Sequence, residues 1–250
     1  MLPAAAGLGA RVDASVGLAR NGYRGVAVAS VLLAVLSAAL SAAVSALASD
    51  ADSFEGLLQL AFSGRLWGLL ALAFVPWLYL NLVIVLRLWA QAEGLVRGGF
   101  DDWRVALAAL PGALLAALVY VVATTLGTLA FIVPGAYLSV AWILWPMTCV
   151  VERCGGLASL SRSTALVSGR WLPTAALVTV VTVVVAAAGM CAGVVGTALA
   201  LFAGSHERLG AMLGGGVSFA AGVLLAPLVP AALVIAYRDC RASQAGSSTT

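Results

Sequence analysis

A chain of 250 residues that is 63% hydrophobic and only 9% charged falls outside the soluble globular class, in which charged side chains make up about a quarter of the residues. Its mean hydropathy of +1.09 is more than a water-soluble core of this size can hide. A net charge of only +3, with all 13 basic residues arginine, excludes the strongly basic balance of a nucleic-acid binder and the logic of an acidic-substrate enzyme.

The chain opens with Ala10 to Arg24, where Asp13, Arg20 and Arg24 alternate with Val12, Val16 and Tyr23. This pattern predicts a short amphipathic helix lying along a membrane surface. Six apolar segments then reach, or nearly reach, the roughly 20 residues of a spanning helix. They are Gly25–Leu47, Leu66–Trp89, Val105–Val133, Ala136–Val151, Leu172–Leu201 and Met212–Ala236. The first run is too long for a secretory signal core, despite the small-residue sequence at Ala46-Leu47-Ala48, so it is expected to remain as a span. The fold class predicted is all-α: a polytopic bundle of six transmembrane helices with short cytoplasmic interfacial helices. Residues 1–241 form one membrane domain and 242–250 a disordered polar tail.

Within the first span, Ser37, Ser41 and Ser45 mark a small-residue face on which another helix can pack. The second contains Pro76 and Asn81. Asn81 lies near mid-membrane, where an amide needs a partner, and it is either a packing hydrogen bond or a polar site for a substrate or ion. Arg87 is placed to extend its guanidinium to the inner headgroups. Asp101 or Asp102 is expected to cap a surface helix that bends at Pro111 into the third span.

Pro134-Gly135 is expected to reverse the chain between the third and fourth spans. The fourth carries Tyr137, Trp142, Trp145 and Pro146 and stops at Glu152-Arg153. A Ser/Arg segment from Leu157 to Gly169 follows, so three Arg-bearing surface segments each precede a pair of spans, in the manner of a weak threefold repeat. Gly189 and Gly193 form a GxxxG in the fifth span, and Gly214, Ser218 and Gly222 extend small-residue spacing along the sixth. Both predict close helix packing or self-association. Pro227 and Pro230 should kink the last span.

Eleven arginines, from Arg11 to Arg241, fall on one side of this arrangement, and only Arg65 and Arg208 fall on the other, with Asp50, Asp52 and Glu55. The positive-inside rule then puts both termini in the cytoplasm.

Chemistry is sparse. His206 is the only histidine, Cys149, Cys154, Cys191 and Cys240 have no CxxC spacing, and none of the hydrolase, nucleotide-binding or zinc-protease motifs occurs. The reading is of a protein with no catalytic residues, no metal and no cofactor. The candidate site is the inner-face cluster Glu152, Arg162, Ser163 and Arg170, in which the arginines either pair with Glu152 or hold an anionic lipid phosphate. The helix-break residues Pro134, Gly135 and Pro146 and the polar Asn81 complete the list.

The same stretch resembles the glycerophosphoryl diester phosphodiesterase membrane-domain family of bacterial integral membrane proteins. The resemblance lies in Pro134, Gly135, Tyr137, Trp142, Pro146, Glu152, Leu160, Arg162, Ser163, Gly169 and Arg170, and in the ending Tyr237-Arg238-Asp239-Cys240-Arg241. Ser159 departs from the alanine commoner there. It implies the membrane part of such a protein in a bacterial cytoplasmic membrane, without the soluble phosphodiesterase barrel some relatives carry. The expected role is a non-enzymatic scaffold, membrane-integrity factor or accessory subunit, with a transporter or permease component as the alternative. Its expected partners are membrane lipids and other membrane proteins or copies of itself, not nucleic acid.

Overall fold

The computed structural model describes residues 7–49, 53–95, 98, 100–202 and 207–247. Arg97, Asp50, Asp52 and His206 lie outside them. Among the described residues all regular structure is helical. The helices are α1 (Leu8–Ala48), α2 (Phe54–Ala61), α3 (Gly64–Ala92), α4 (Asp101–Ala130), α5 (Ile132–Ala141), α6 (Trp145–Val150), α7 (Gly156–Val167), α8 (Trp171–Phe202), α9 (Glu207–Leu225) and α10 (Leu228–Ser247). Six stretches are long and apolar enough to cross a membrane: α1, α3, α4, Ile132–Val150, α8 and Met212–Ala245. The protein is an all-α, multi-pass membrane protein.

The sequence divides these helices imperfectly. No separate surface helix precedes α1, which runs unbroken from Leu8 through the Ala10–Arg24 region to Ala48. Nor does α4 begin with one. Pro111 lies inside a continuous helix, the N-cap position belongs to Phe100 without a side-chain cap, and Asp101 and Asp102 occupy the first turn. Of the three Arg-bearing segments, α7 alone is a separate short helix among the described residues. The tail expected to be disordered from residue 242 is instead helical through Ser247, with the Gln244 amide donating to the Ala165 carbonyl at 2.9 Å. At Pro227 the expected kink is a full break between α9 and α10.

The chain divides into two compact units. The first comprises residues 1–26, 82–188 and 227–250. In it α4 and α5 form a hairpin, α6 and α7 pack against α4, and α10 packs against α6 and α7. Glycine sets the spacing of that hairpin. A Cβ on Gly135 would lie 2.5 Å from the Thr128 backbone nitrogen; between α4 and α7, one on Gly112 would lie 3.1 Å from the Gly156 backbone nitrogen. Leu82 to Leu86 of α3 and Ala231 to Tyr237 of α10 supply the most deeply buried side chains.

The second unit comprises residues 27–81 and 189–226. Here α8 and α9 approach at Gly196 and Gly214, where a Cβ on either would lie 2.8 or 2.7 Å from the other's carbonyl oxygen. Gly222 abuts Ala34. The GxxxG pair Gly189 and Gly193, expected to make such a contact, faces open space.

Candidate functional site

The site begins with a broken helix. Proline has no backbone N–H, so Pro146 cannot continue an α-helical ladder from α5. The chain instead turns through Trp142–Leu144 and restarts at Trp145 with Pro146 in the first turn of α6. That break strands backbone groups inside the protein, where each needs a partner. Ser163 of α7 supplies both. Its hydroxyl donates to the Ala141 carbonyl at 2.9 Å and accepts from the Leu144 N–H at 3.2 Å, and it is completely buried. Thr148 adds a second link, donating to the Ser159 carbonyl at 3.0 Å.

The end of α6 then aims a carboxylate. Arg153 adopts φ 55°, and the Cys154 N–H reaches back to the Thr148 carbonyl at 3.1 Å, closing the turn that follows α6. Arginine thus occupies the left-handed position that glycine usually fills. The turn leaves Glu152 facing α7 and α10. One carboxylate oxygen accepts from Arg162 Nε at 2.6 Å, and the other accepts from the Tyr237 hydroxyl at 2.7 Å. Tyr237 is fully buried, with its ring edge-on to Trp89 and the Arg241 guanidinium 5.7 Å from its centroid. The turn after α6 and the middles of α7 and α10 thus meet on one carboxylate.

Burial pushes the Glu152 carboxyl up, but hydrogen bonds from Arg162 and Tyr237 and the Arg162 charge outweigh it and hold the group below its ordinary value. The same hydrogen bond raises the Arg162 guanidinium, against a smaller opposing effect of burial. The pair is ionised throughout the physiological range.

The residues anticipated from sequence therefore separate by role. Glu152 and Arg162 are joined directly. Ser163, one residue on, serves the α5–α6 break rather than the ion pair. Arg170 makes no ion pair with a described residue; its backbone N–H closes the turn after α7 onto the Val167 carbonyl at 2.9 Å. Pro134 and Gly135 lie inside the first turn of α5, because the chain reverses at the extended residue Phe131. Asn81 donates its side-chain amide to the Trp77 carbonyl of its own helix at 2.9 Å.

Two features escaped the sequence. Tyr237 is the third partner of Glu152, and its only visible trace was the Tyr237-x-Asp239-x-Arg241 ending. Each member of that ending has a contact, since Asp239 pairs with Arg11 at 3.1 Å. Asp102 and Arg87 were assigned a cap and a headgroup contact. They pair with each other at 3.3 Å, and Arg87 also donates to the Gly25 carbonyl at 2.9 Å. Arg238 and Glu93 form a further pair at 3.3 Å. All four free cysteines lie apart from any His, Cys, Asp or Glu group that could hold a metal, among the described residues. Comparison of the chain with protein-family models, with curated proteins and with solved structures gives no match.

Proposed function

We propose that this chain is a non-enzymatic membrane protein of the bacterial cytoplasmic membrane, acting as a scaffold, membrane-integrity factor or accessory subunit of a membrane assembly. The observation that carries the reading is the saturation of Glu152. Both its oxygens accept donors from the protein itself, Arg162 and Tyr237, so the conspicuous carboxylate fastens helices and leaves no lone charge to activate a substrate. Ser163 is likewise consumed by two backbone groups.

The distribution of charge supports an orientation with both termini cytoplasmic. Eleven arginines and six carboxylates belong to the first compact unit, a net +5, while two arginines and four carboxylates belong to the second, a net −2. A basic face next to the cytoplasm follows the positive-inside rule. Arg170, without an ion-pair partner among the described residues, is then available to an anionic lipid headgroup. The family resemblance around Pro134–Trp171 fits this reading. For the transporter alternative, Asn81 offers weak support, because its amide is already committed to Trp77.

The discriminating experiment is charge reversal at the clamp. Arg162→Glu should lower accumulation of the protein in membranes several-fold, and Glu152→Arg combined with Arg162→Glu should recover part of it. Normal accumulation of Arg162→Glu with altered lipid co-purification would replace the clamp by a lipid-phosphate site. Uptake of a solute by vesicles holding the purified chain, abolished by Asn81→Leu, would replace the scaffold by a transporter.

A further inference from the structure

The turn joining α4 to α5 differs from every other reversal between long helices. From Leu129 to Ala136 the chain reads Leu-Ala-Phe-Ile-Val-Pro-Gly-Ala, without one polar side chain. The other reversals carry Ser49 to Ser53 with two aspartates, Glu93 and Arg97, Glu152 and Arg153, Ser168 and Arg170, or Ser205 and His206. A loop that emerges into water ordinarily carries polar turn residues. Here Phe131, Ile132 and Val133 are instead 73%, 76% and 78% exposed.

A second observation fixes how deep this tip can reach. The Trp171 indole N–H donates to the Tyr137 carbonyl at 3.3 Å, and the two rings stack 6.1 Å apart. Trp171 is the first residue of α8 and follows Arg170. One turn further on, Thr174 touches Cys240 at 3.7 Å, within the charged run Arg238-Asp239-Cys240-Arg241, whose Asp239 is paired with Arg11. The start of α8 therefore belongs to a charged, interfacial layer, and Tyr137 is level with it. From Tyr137 to Phe131 is six residues, a rise of about 9 Å. Even with the reach of the tryptophan side chain added, the tip falls well short of the roughly 30 Å hydrocarbon thickness.

We infer that the α4–α5 hairpin is not a pair of spans but a re-entrant wedge. It enters from the face that carries Arg170, places Phe131, Ile132 and Val133 among the acyl chains of that leaflet, and returns to the same face. Four crossings remain, by α1, α3, α8 and the α9–α10 run. At the reversal the Phe131 N–H is spent on the Gly127 carbonyl at 2.9 Å, the Gly135 N–H reaches the Phe131 carbonyl at 3.4 Å, and Pro134 has no N–H to satisfy. Entry and exit on one face leave the positions of both termini unchanged.

The test uses the full chain with its four cysteines replaced by alanine and a single new thiol at Val133→Cys or, independently, Ile132→Cys. Ser63→Cys, at the turn before α3, reports the opposite face, and Ser161→Cys on α7 the face of entry. In sealed vesicles, an impermeant maleimide should label the tip from either side at less than about a tenth of the matching control, as expected for a thiol in hydrocarbon. A fluorophore on the tip should be quenched most by a nitroxide partway down the acyl chain, and less by one at the chain terminus. Labelling from the Ser63 face would overturn the wedge in favour of full spans. Labelling from the Ser161 face would overturn it in favour of a surface loop. Strongest quenching by the chain-terminal nitroxide would place the tip at the midplane and overturn it too.

Discussion

Glu152 illustrates how a single carboxylate becomes structural. Its folded form binds a proton less readily than the unfolded chain does, because Arg162 and Tyr237 favour the anion. The stabilisation is therefore complete above the ordinary carboxylate value of about 4.3, and it is lost as pH falls through the lower folded value. Glu152→Gln should reduce stability by about 1–2 kcal/mol, less than for a fully enclosed pair because the Arg162 side chain is 39% exposed. Thermal melts in detergent across the acid range check both points: the wild-type melting temperature should decline below about pH 4.3, and the variant should decline less. One residue later the prediction has the opposite sign. Arg153 holds a left-handed conformation at φ 55° that is strained for any residue bearing a Cβ, so Arg153→Gly should stabilise by about 1 kcal/mol. An unchanged or lower melting temperature would mean that the guanidinium makes a compensating contact.

Between elements, the break that Pro146 imposes is tolerable only because α7 returns a hydroxyl to it. Ser163→Ala leaves the Ala141 carbonyl and the Leu144 N–H buried without that partner and should cost about 1–3 kcal/mol. Exposed Ser161→Ala on the same helix is the neutral control, and urea or thermal unfolding of the two separates them. Glycine contacts give a sharper contrast. Gly196→Ala must push α9 away at Gly214, a strain of typically 1–3 kcal/mol, whereas Gly189→Ala and Gly193→Ala meet nothing within 4 Å and should be neutral in the isolated chain. The sequence showed a GxxxG but not which face of α8 meets α9, because spacing defines a stripe and only tertiary packing chooses its partner. Similarly, Pro134-Gly135 was legible as a disturbance. The reversal falls at Phe131 because proline suits the first turn of a helix, where its missing N–H has no acceptor to serve.

For the molecule as a whole, composition and apolar run length were enough to read an all-α membrane protein, since hydrocarbon permits few ways to satisfy a backbone. What they did not disclose was the pairing among charges. Arg87, expected at the headgroups, is drawn to Asp102, and Asp102, expected as a cap, is 3% exposed; such contacts join residues far apart in the chain and leave no local periodic trace. Arg11, Arg87, Arg162 and Arg238 are spent in ion pairs, while Arg20, Arg24, Arg104, Arg153, Arg170 and Arg241 make none with a described residue. These remaining cations are the ones an anionic membrane surface would meet, each contributing on the order of 1 kcal/mol near that surface. The purified protein should therefore melt higher with phosphatidylglycerol than with phosphatidylcholine at equal lipid content. Because the interaction is screened over roughly 8 Å at physiological ionic strength, most of that difference should vanish in molar salt. A charge-neutralising set, Arg20→Gln, Arg24→Gln and Arg170→Gln, should shrink the difference while leaving the melting temperature in phosphatidylcholine unchanged; an unshrunken difference would assign the lipid preference to the paired arginines instead.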